Sequence, residues 1–485
     1  MNTPNHLSGP ADARVASRRS AAGIAMMALT AALGAGPASS TGASDTRDPT
    51  PEFKVRGKTA IFADITRADV TLNIDVAAKR ATVAGRMDIE IERPRGGAPL
   101  LDVVPPAARF VTVDGGERVA LIEVTSPDRR SVMRMVDAVL AEGAHTLDFE
   151  EYALREGTDP TTQTSLEGIS FVDGGFEFQT DQDDTKPRHF TERFFPSGFE
   201  RDPYPFKVTV NVRNATAAQR PDVITNGTKT VLADGQSFEI AFPEDYNTSS
   251  WFLHVIDRNK FAFATGEYST SDGRTVPLTA YGPRQADVDL AIAGSQRLIA
   301  ELEADYGPYP QDFFLVAVST TLNDAEEYVG AAQLRLNADA DNPIRRSALG
   351  HELLHMWFGR SARPYEGRDG WVDESIVAWR DDRYERSASI ELDGEYVPLA
   401  YDSRYARHTP DESYDQGAEF SADLDRLFAD EGGLKPVLRA FHERYADRFY
   451  TTEDYLAFLR ERAPDRAGLD ELIEAKVYAG AAPHH

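Results

Sequence analysis

The chain has 485 residues, of which 41% are hydrophobic and 27% charged, proportions of a soluble globular protein long enough for two or three domains. Its formal net charge of −27 argues against nucleic acid and anionic membrane surfaces as partners, because both are met by basic patches. Cysteine is absent, which excludes disulfides, thiolate catalysis and a lipid-modified cysteine anchor and leaves the redox compartment open.

Residues 1–42 predict an export signal and leader. Arg14, Arg18 and Arg19 precede a small-residue, mildly apolar run from Ala21 to Ala35, followed by Pro37, Ala38, Ser39 and Ser40. The start Ser17-Arg18-Arg19 is similar to that of a twin-arginine signal. The run is too short to span a bilayer, so the mature chain is expected to carry no integral membrane span and to be periplasmic or secreted. A small-residue leader on a cytoplasmic protein is the alternative.

Gly42 to Pro51 has the composition of a linker. Residues 43–262 predict one large antiparallel β-domain, a sandwich or saddle of two sheets. The signal is period-two alternation, as in Val70 to Val76, Met87 to Ile91 and Phe206 to Val212, reaching about Val255. Helical periodicity takes over near Pro283, where Val288, Ile292, Ser295, Ile299 and Leu302 share one stripe. Tyr306-Gly307-Pro308-Tyr309-Pro310 ends that helix, and Phe313 to Val318 follows as a short buried strand. Residues 263–485 thus predict a mainly helical domain with a small sheet, and the whole chain a multidomain α+β protein.

The chemistry is concentrated in His351-Glu352-Leu353-Leu354-His355 and Glu374. Helical positions i and i+4 lie about 40° apart on one face, so both imidazoles can reach one ion. Zinc accepts nitrogen and carboxylate ligands in a tetrahedron and, in catalytic sites, keeps one position for water. Glu352 lies beside the ligands, where it can take a proton from that water. Eighteen residues separate His355 from Glu374, enough to leave one helix, turn and begin another with Glu374 facing the metal. One Zn²⁺ per chain, held by His351, His355 and Glu374, is the expectation.

The run His351 to Gly359 (H-E-L-L-H-M-W-F-G) resembles the H-E-L-A-H-Q-W-F-G stretch of the aminopeptidase N and leukotriene hydrolase family of zinc peptidases. Asp369-Gly370-Trp371-Val372-Asp373-Glu374 is similar to its D-L-W-L-N-E at the same spacing. The resemblance implies a thermolysin-like catalytic domain and a peptide substrate. It extends to Arg188 to Val210 and to Thr225-Asn226-Gly227 in the β-rich part. Gln179, Gln182 and Asp183 are candidates there for a residue that lines the pocket of the substrate amine.

Where the family carries G-A-M-E-N on an edge strand along the substrate, the matching residues here are taken as Gly330, Ala331, Ala332 and Gln333. Its Glu holds the free α-ammonium, and Gln333 keeps the shape but not the charge. Glu326 and Glu327, a few residues upstream, are the alternative carboxylates. Tyr414-Asp415-Gln416-Gly417-Ala418 resembles Y-E-K-G-A, whose Tyr donates to the oxyanion, and this implies that role for Tyr414. Its distance of forty residues from Glu374 is about twenty shorter than in the family. Asp369 is a candidate acceptor for the outer N–H of a ligand imidazole, with capping of the Glu374 helix as the alternative. Thr451 to Asp454 predicts a capping box. The family usually continues with a long helical domain beyond the point where this chain stops, at His485.

Three functions fit these residues. The first is an exported, aminopeptidase-like zinc hydrolase with Glu352 as general base. The second applies the same chemistry to internal or N-blocked peptides, since Gln333 lacks the charge that anchors an amine. The third is a zinc-binding scaffold without turnover.

Overall fold

Alternation of inward apolar and outward polar side chains, broken once in each strand, folds Asp64–Asp75 and Arg80–Ile91 into a long antiparallel pair. Gly143–Ala153 adds antiparallel to the second of these. The structure is a computed structural model and describes residues 50–102, 108–154, 169–170, 177–179, 195–198, 203–319, 325–335, 344–365, 367–385, 396–400, 403–406 and 409–479. The long pair forms the middle of a twelve-stranded sheet. A four-stranded sheet contains Ile169–Ser170, Glu177–Gln179, Leu253–Asp257 and Pro221–Thr225. Val70, Leu72, Val83, Met87, Leu147, Val208 and Val255 fill one core, closed by Trp251 stacked on Phe206 with ring centroids 4.1 Å apart.

The expectation of antiparallel pairing throughout needs correction at two places, the first being Lys58–Phe62, which runs parallel to Ala98–Leu101. At the second, Phe206–Arg213 runs parallel to Asp64–Asp75, with Val208 opposite Val70. Alternation encodes which face of a strand is buried, not the direction of its neighbour, so the sequence offered no signal for this.

From Ala262 the chain builds a five-stranded sheet. Ala262–Ser269 and Thr275–Gly282 form a hairpin, and Phe314–Ser319 and Ala331–Arg335 add in parallel. Glu326–Tyr328 closes one edge antiparallel to Ala331–Arg335. Helix α1 (Gln285–Tyr306) packs on this sheet through the predicted stripe, with Val288, Ser295, Ile299 and Leu302 buried. It ends at Gly307, whose φ of 96° breaks the helix. Six further helices follow: α2 (Ile344–Leu354), α3 (Trp371–Glu385), α4 (Glu412–Leu427), α5 (Leu434–Tyr445), α6 (Thr452–Arg462) and α7 (Arg466–Leu472).

One continuous core joins strand Phe314–Ser319 to these helices through Trp357, Trp371, Phe420, Phe441 and Leu459. The two indoles are fully buried, and each N–H finds an acceptor. Trp357 Nε1 donates to Gly307 O at 3.1 Å, and Trp371 Nε1 to Thr452 Oγ1 at 3.0 Å. The capping box is present, with Thr451 Oγ1 accepting from Asp454 N while the Asp454 carboxylate accepts from Thr451 N. No helix among the described residues is long and apolar enough to cross a membrane.

A buried histidine on α5 ties this core to pH. His442 is 8% exposed, its Nε2 lies 3.1 Å from Ser361 Oγ, and burial pushes its pKa down to about 4. The unfolded chain therefore takes up this proton more readily than the folded one. The penalty is absent above the ordinary histidine pKa and grows as pH falls toward 4. Between pH 7 and pH 5 the loss is about 2 kcal/mol. Urea unfolding of the parent and of His442→Gln at both pH values checks this. The variant is expected to lose less stability than the parent over that interval, and equal losses contradict the assignment.

Candidate active site

Helix α2 delivers the two imidazoles. Its last helical residue is Leu354, yet His355 N still donates to His351 O at 3.3 Å, so the i, i+4 relation survives into the turn. The chain then reverses tightly, with Arg360 N donating to His355 O at 2.9 Å. Gly359 makes that turn possible, at φ 124°. A Cβ there would stand 2.8 Å from Asp373 Oδ2 and 3.1 Å from His355 Nδ1. Glu374 lies in the first turn of α3, its N–H donating to Gly370 O. Its Oε2 sits 3.3 Å from His351 Nε2 and 3.4 Å from His355 Nε2. The three groups offer ligand atoms that all lie within 4.8 Å of one another.

The outer nitrogens are anchored as ligand imidazoles usually are. His351 Nδ1 lies 2.8 Å from Asp381 Oδ2. His355 Nδ1 lies 3.1 Å from Phe358 O and 3.6 Å from Asp373 Oδ2. Asp369, expected in this role, is engaged elsewhere. Its Oδ1 accepts from Thr452 N at 2.8 Å and Thr452 Oγ1 at 2.9 Å, satisfying an orphan donor at the start of α6. Asp381 had a signal that sequence reasoning passed over. It follows Glu374 by seven residues, two helical turns, and so shares its face.

The electrostatics suit a cation. Burial opposes the charged form of both imidazoles, but for His351 the carboxylates of Asp381, Glu374 and Glu352, and for His355 those of Glu327, Glu374 and Asp373, outweigh it. Both are held well above the ordinary histidine value. Burial likewise opposes ionisation of Glu374, and the two imidazoles outweigh it, holding the carboxyl well below its usual range. Burial lifts Asp373 to about 6. A field that favours protons on two neighbouring imidazoles favours a divalent ion between them. Among the described residues the buried His355 Nε2 makes no hydrogen bond, its nearest carboxylate being Glu374 Oε2 at 3.4 Å. Nitrogen, nitrogen and carboxylate oxygen form the donor set that zinc prefers, so the residues fit the metal.

Around this cluster stand three further groups. Glu352 is 3% exposed, and burial, reinforced by Glu327 and Glu374, pushes its carboxyl well above the usual range. One of its oxygens, one of Glu327 and a His355 nitrogen lie within 4.8 Å of one another. Tyr414, in the first turn of α4, stacks on His351 at 6.0 Å between ring centroids and is 44% exposed. Desolvation of the hydroxyl, with the charges of Glu374, Glu327 and Glu326, raises this phenol well above its ordinary pKa, so it stays a donor.

The four residues Gly330, Ala331, Ala332 and Gln333 do not form the edge expected of them. Ala331–Arg335 is an inner strand, flanked by Phe314–Ser319 and Glu326–Tyr328. Gln333 is fully buried and donates to Tyr328 Oη at 2.7 Å. Gly330, at φ 65°, is the hairpin turn, where a Cβ would meet the Phe313 ring at 2.8 Å. The edge is Glu326–Tyr328, and Glu327 is the carboxylate that reaches the cluster. Gln179 lies on a strand opposite His254, and Gln182 and Asp183 fall outside the described residues.

No family model and no curated protein matches the chain. Solved structures do. An M1 zinc metallopeptidase from Deinococcus radiodurans, bound to a Tyr-Ser-Ala substrate, is 17% identical at a TM-score of 0.58, over 87% of this chain and 96% of that one. Aminopeptidase A of Legionella pneumophila, in complex with aspartic acid, is 14% identical at 0.63, over 86% of this chain and 50% of that one. Yeast LTA4 hydrolase is 13% identical at 0.58, over 87% and 69%. At these identities the likeness is one of fold, and the sheet-rich N-terminal part followed by a helical part resembles the fold of a two-domain M1 zinc metallopeptidase.

Proposed function

We propose that this chain is a zinc-dependent peptide hydrolase of aminopeptidase type. The convergence of His351, His355 and Glu374 beside Glu352 and Tyr414, within an M1-like fold, carries the reading. Residues 43–262 would form the β-domain and 263–485 the catalytic domain, with 1–42 directing export.

His351, His355 and Glu374 would hold the ion. Zinc bound there supplies a Lewis acid that polarises the scissile carbonyl and lowers the pKa of the attacking water. Asp381 and the Phe358 carbonyl fix the two rings so that their inner nitrogens stay turned toward that point. Glu352, with an oxygen within 4.8 Å of a His355 nitrogen, takes the proton of the attacking water and delivers it to the leaving amine. Tyr414 donates its hydroxyl to the developing oxyanion. Glu327, on the edge strand, accepts from the substrate's α-ammonium in place of Gln333. The same edge offers backbone groups to an extended peptide.

Metal binding is tested without any substrate. Protein stripped with a chelator and titrated with zinc is expected to bind one equivalent. At free zinc of one hundred times Kd the gain in stability is about 2.7 kcal/mol, seen as a rise in Tm. His355→Ala is expected to lose both the binding and the rise. A parent that takes up no zinc sinks the reading.

Glu352→Ala is expected to keep its zinc and to hydrolyse aminoacyl reporters about 10²- to 10⁴-fold more slowly. Tyr414→Phe is expected to lose about 10²- to 10³-fold in kcat. Hydrolysis by Glu352→Ala at the parental rate would remove Glu352 from the mechanism.

A further inference from the structure

Directly after the turn that carries His355 comes a buried guanidinium. Arg360 is 6% exposed. Its Nη2 donates to Glu327 Oε1 at 2.6 Å and to the backbone carbonyl of the same residue at 2.9 Å. Its Nη1 donates to Ser249 Oγ at 2.9 Å. Ser249 is itself buried, and its N–H and hydroxyl both donate to Asn247 Oδ1. The arginine is thus fixed at once to the edge strand and to a turn of the β-rich part. It holds its pair with Glu327 through the architecture of the site and needs no substrate to form it.

The pair changes what Glu327 can offer. The proposed anchor for a substrate ammonium is a carboxylate whose charge would attract a free amine and penalise a blocked one. With one oxygen in a charge-assisted bond to a guanidinium, the carboxylate can still accept from a ligand, but the net charge of the unit is close to zero. Little solvent is available to screen the guanidinium at this depth, so its opposing field is felt where the amine would lie.

We propose that Arg360 is a specificity-determining residue that weakens the demand for a free N-terminus: by neutralising Glu327 it lets N-blocked peptides compete with free-amine peptides. This rests on the peptide-hydrolase reading. The role belongs to the charge of Arg360. A purely positioning role, in which Arg360 only steadies Glu327, predicts the opposite result.

The test uses the full-length, zinc-loaded protein and two reporters with the same side chain and leaving group, one with a free amine and one N-acetylated. The parent is expected to show kcat/KM values within about tenfold of each other. In Arg360→Gln the ratio of free-amine to acetylated kcat/KM is expected to rise by about tenfold or more, through a lower KM for the free-amine reporter. Arg360→Lys, which keeps the charge, is expected to restore the parental ratio. In a double-mutant cycle, Glu327→Gln is expected to harm free-amine cleavage more in the Arg360→Gln background than in the parent. A ratio that is unchanged or lower in Arg360→Gln overturns the proposal.

Should Arg360→Gln fail to fold, the parent alone decides. Competitive inhibition by an amino acid hydroxamate and by its N-acetyl form is expected to differ by less than about tenfold, and a preference of about a hundredfold for the free amine overturns the proposal. If the zinc-loaded parent cleaves neither reporter, the hydrolase reading itself has failed and this inference falls with it. That outcome is distinct from cleavage with an unaltered ratio.

Discussion

A knot of buried charge governs this structure. Glu327, Glu352, Asp373, Glu374 and Asp381 crowd around two imidazoles in a region from which water is largely excluded. Carboxylates at such a density repel one another, and burial lifts Glu352 and Asp373 above their usual range, while at Glu374 the imidazoles outweigh it and at Glu327 a guanidinium supplies the opposite charge. A divalent cation among His351, His355 and Glu374, as proposed, would relieve the repulsion at one point. The need for that relief explains several features that look unrelated. Glu374 sits where both imidazoles meet it, Asp381 and a carbonyl take the outer nitrogens, and Gly359 leaves room for Asp373.

Much of this arrangement was legible in the sequence because it obeys local rules. Two histidines four apart on one helix share a face, and the eighteen residues between His355 and Glu374 leave room for a turn and a second helix. The strands Asp64–Asp75 and Arg80–Ile91 were visible for a similar reason, since a period of two leaves a half-buried strand few alternatives. The capping box at Thr451 is likewise a short-range pattern with its cause inside four residues.

What escaped depended on partners distant in sequence. Phe206–Arg213 finds its parallel neighbour more than a hundred residues upstream, and nothing in its own alternation says so. Gly330 matched the first residue of a substrate-binding strand, but its positive φ makes it the turn of a hairpin, which moves the edge to the residues before it. The carboxylate that reaches the cluster is Glu327, one of the two alternatives to Gln333 named from the sequence. Asp369 has the look of a histidine partner from its nearness to Glu374, yet the start of α6, more than eighty residues on, claims it.

The edge strand shows why the β-rich part belongs to the site although no proposed metal ligand comes from it. Among the described residues Glu326–Tyr328 pairs with one strand, Ala331–Arg335, and so leaves an unpaired edge. Asn226, from the Thr225-Asn226-Gly227 stretch, donates to Val329 O at 2.8 Å and to Ser250 O at 2.7 Å, and its side-chain oxygen accepts from Phe252 N. Arg360 grips Glu327 from the other side and anchors on Ser249, in the same turn as Ser250. The turn at residues 247–250 therefore braces the edge through two independent side chains. Asn226 holds Val329 while Arg360 holds Glu327 itself, so the carboxylate is tied both to its own strand and, through the guanidinium, to the β-rich part. Arg360, in the turn that also shapes His355, therefore brings an opposing charge and a tether to the same point.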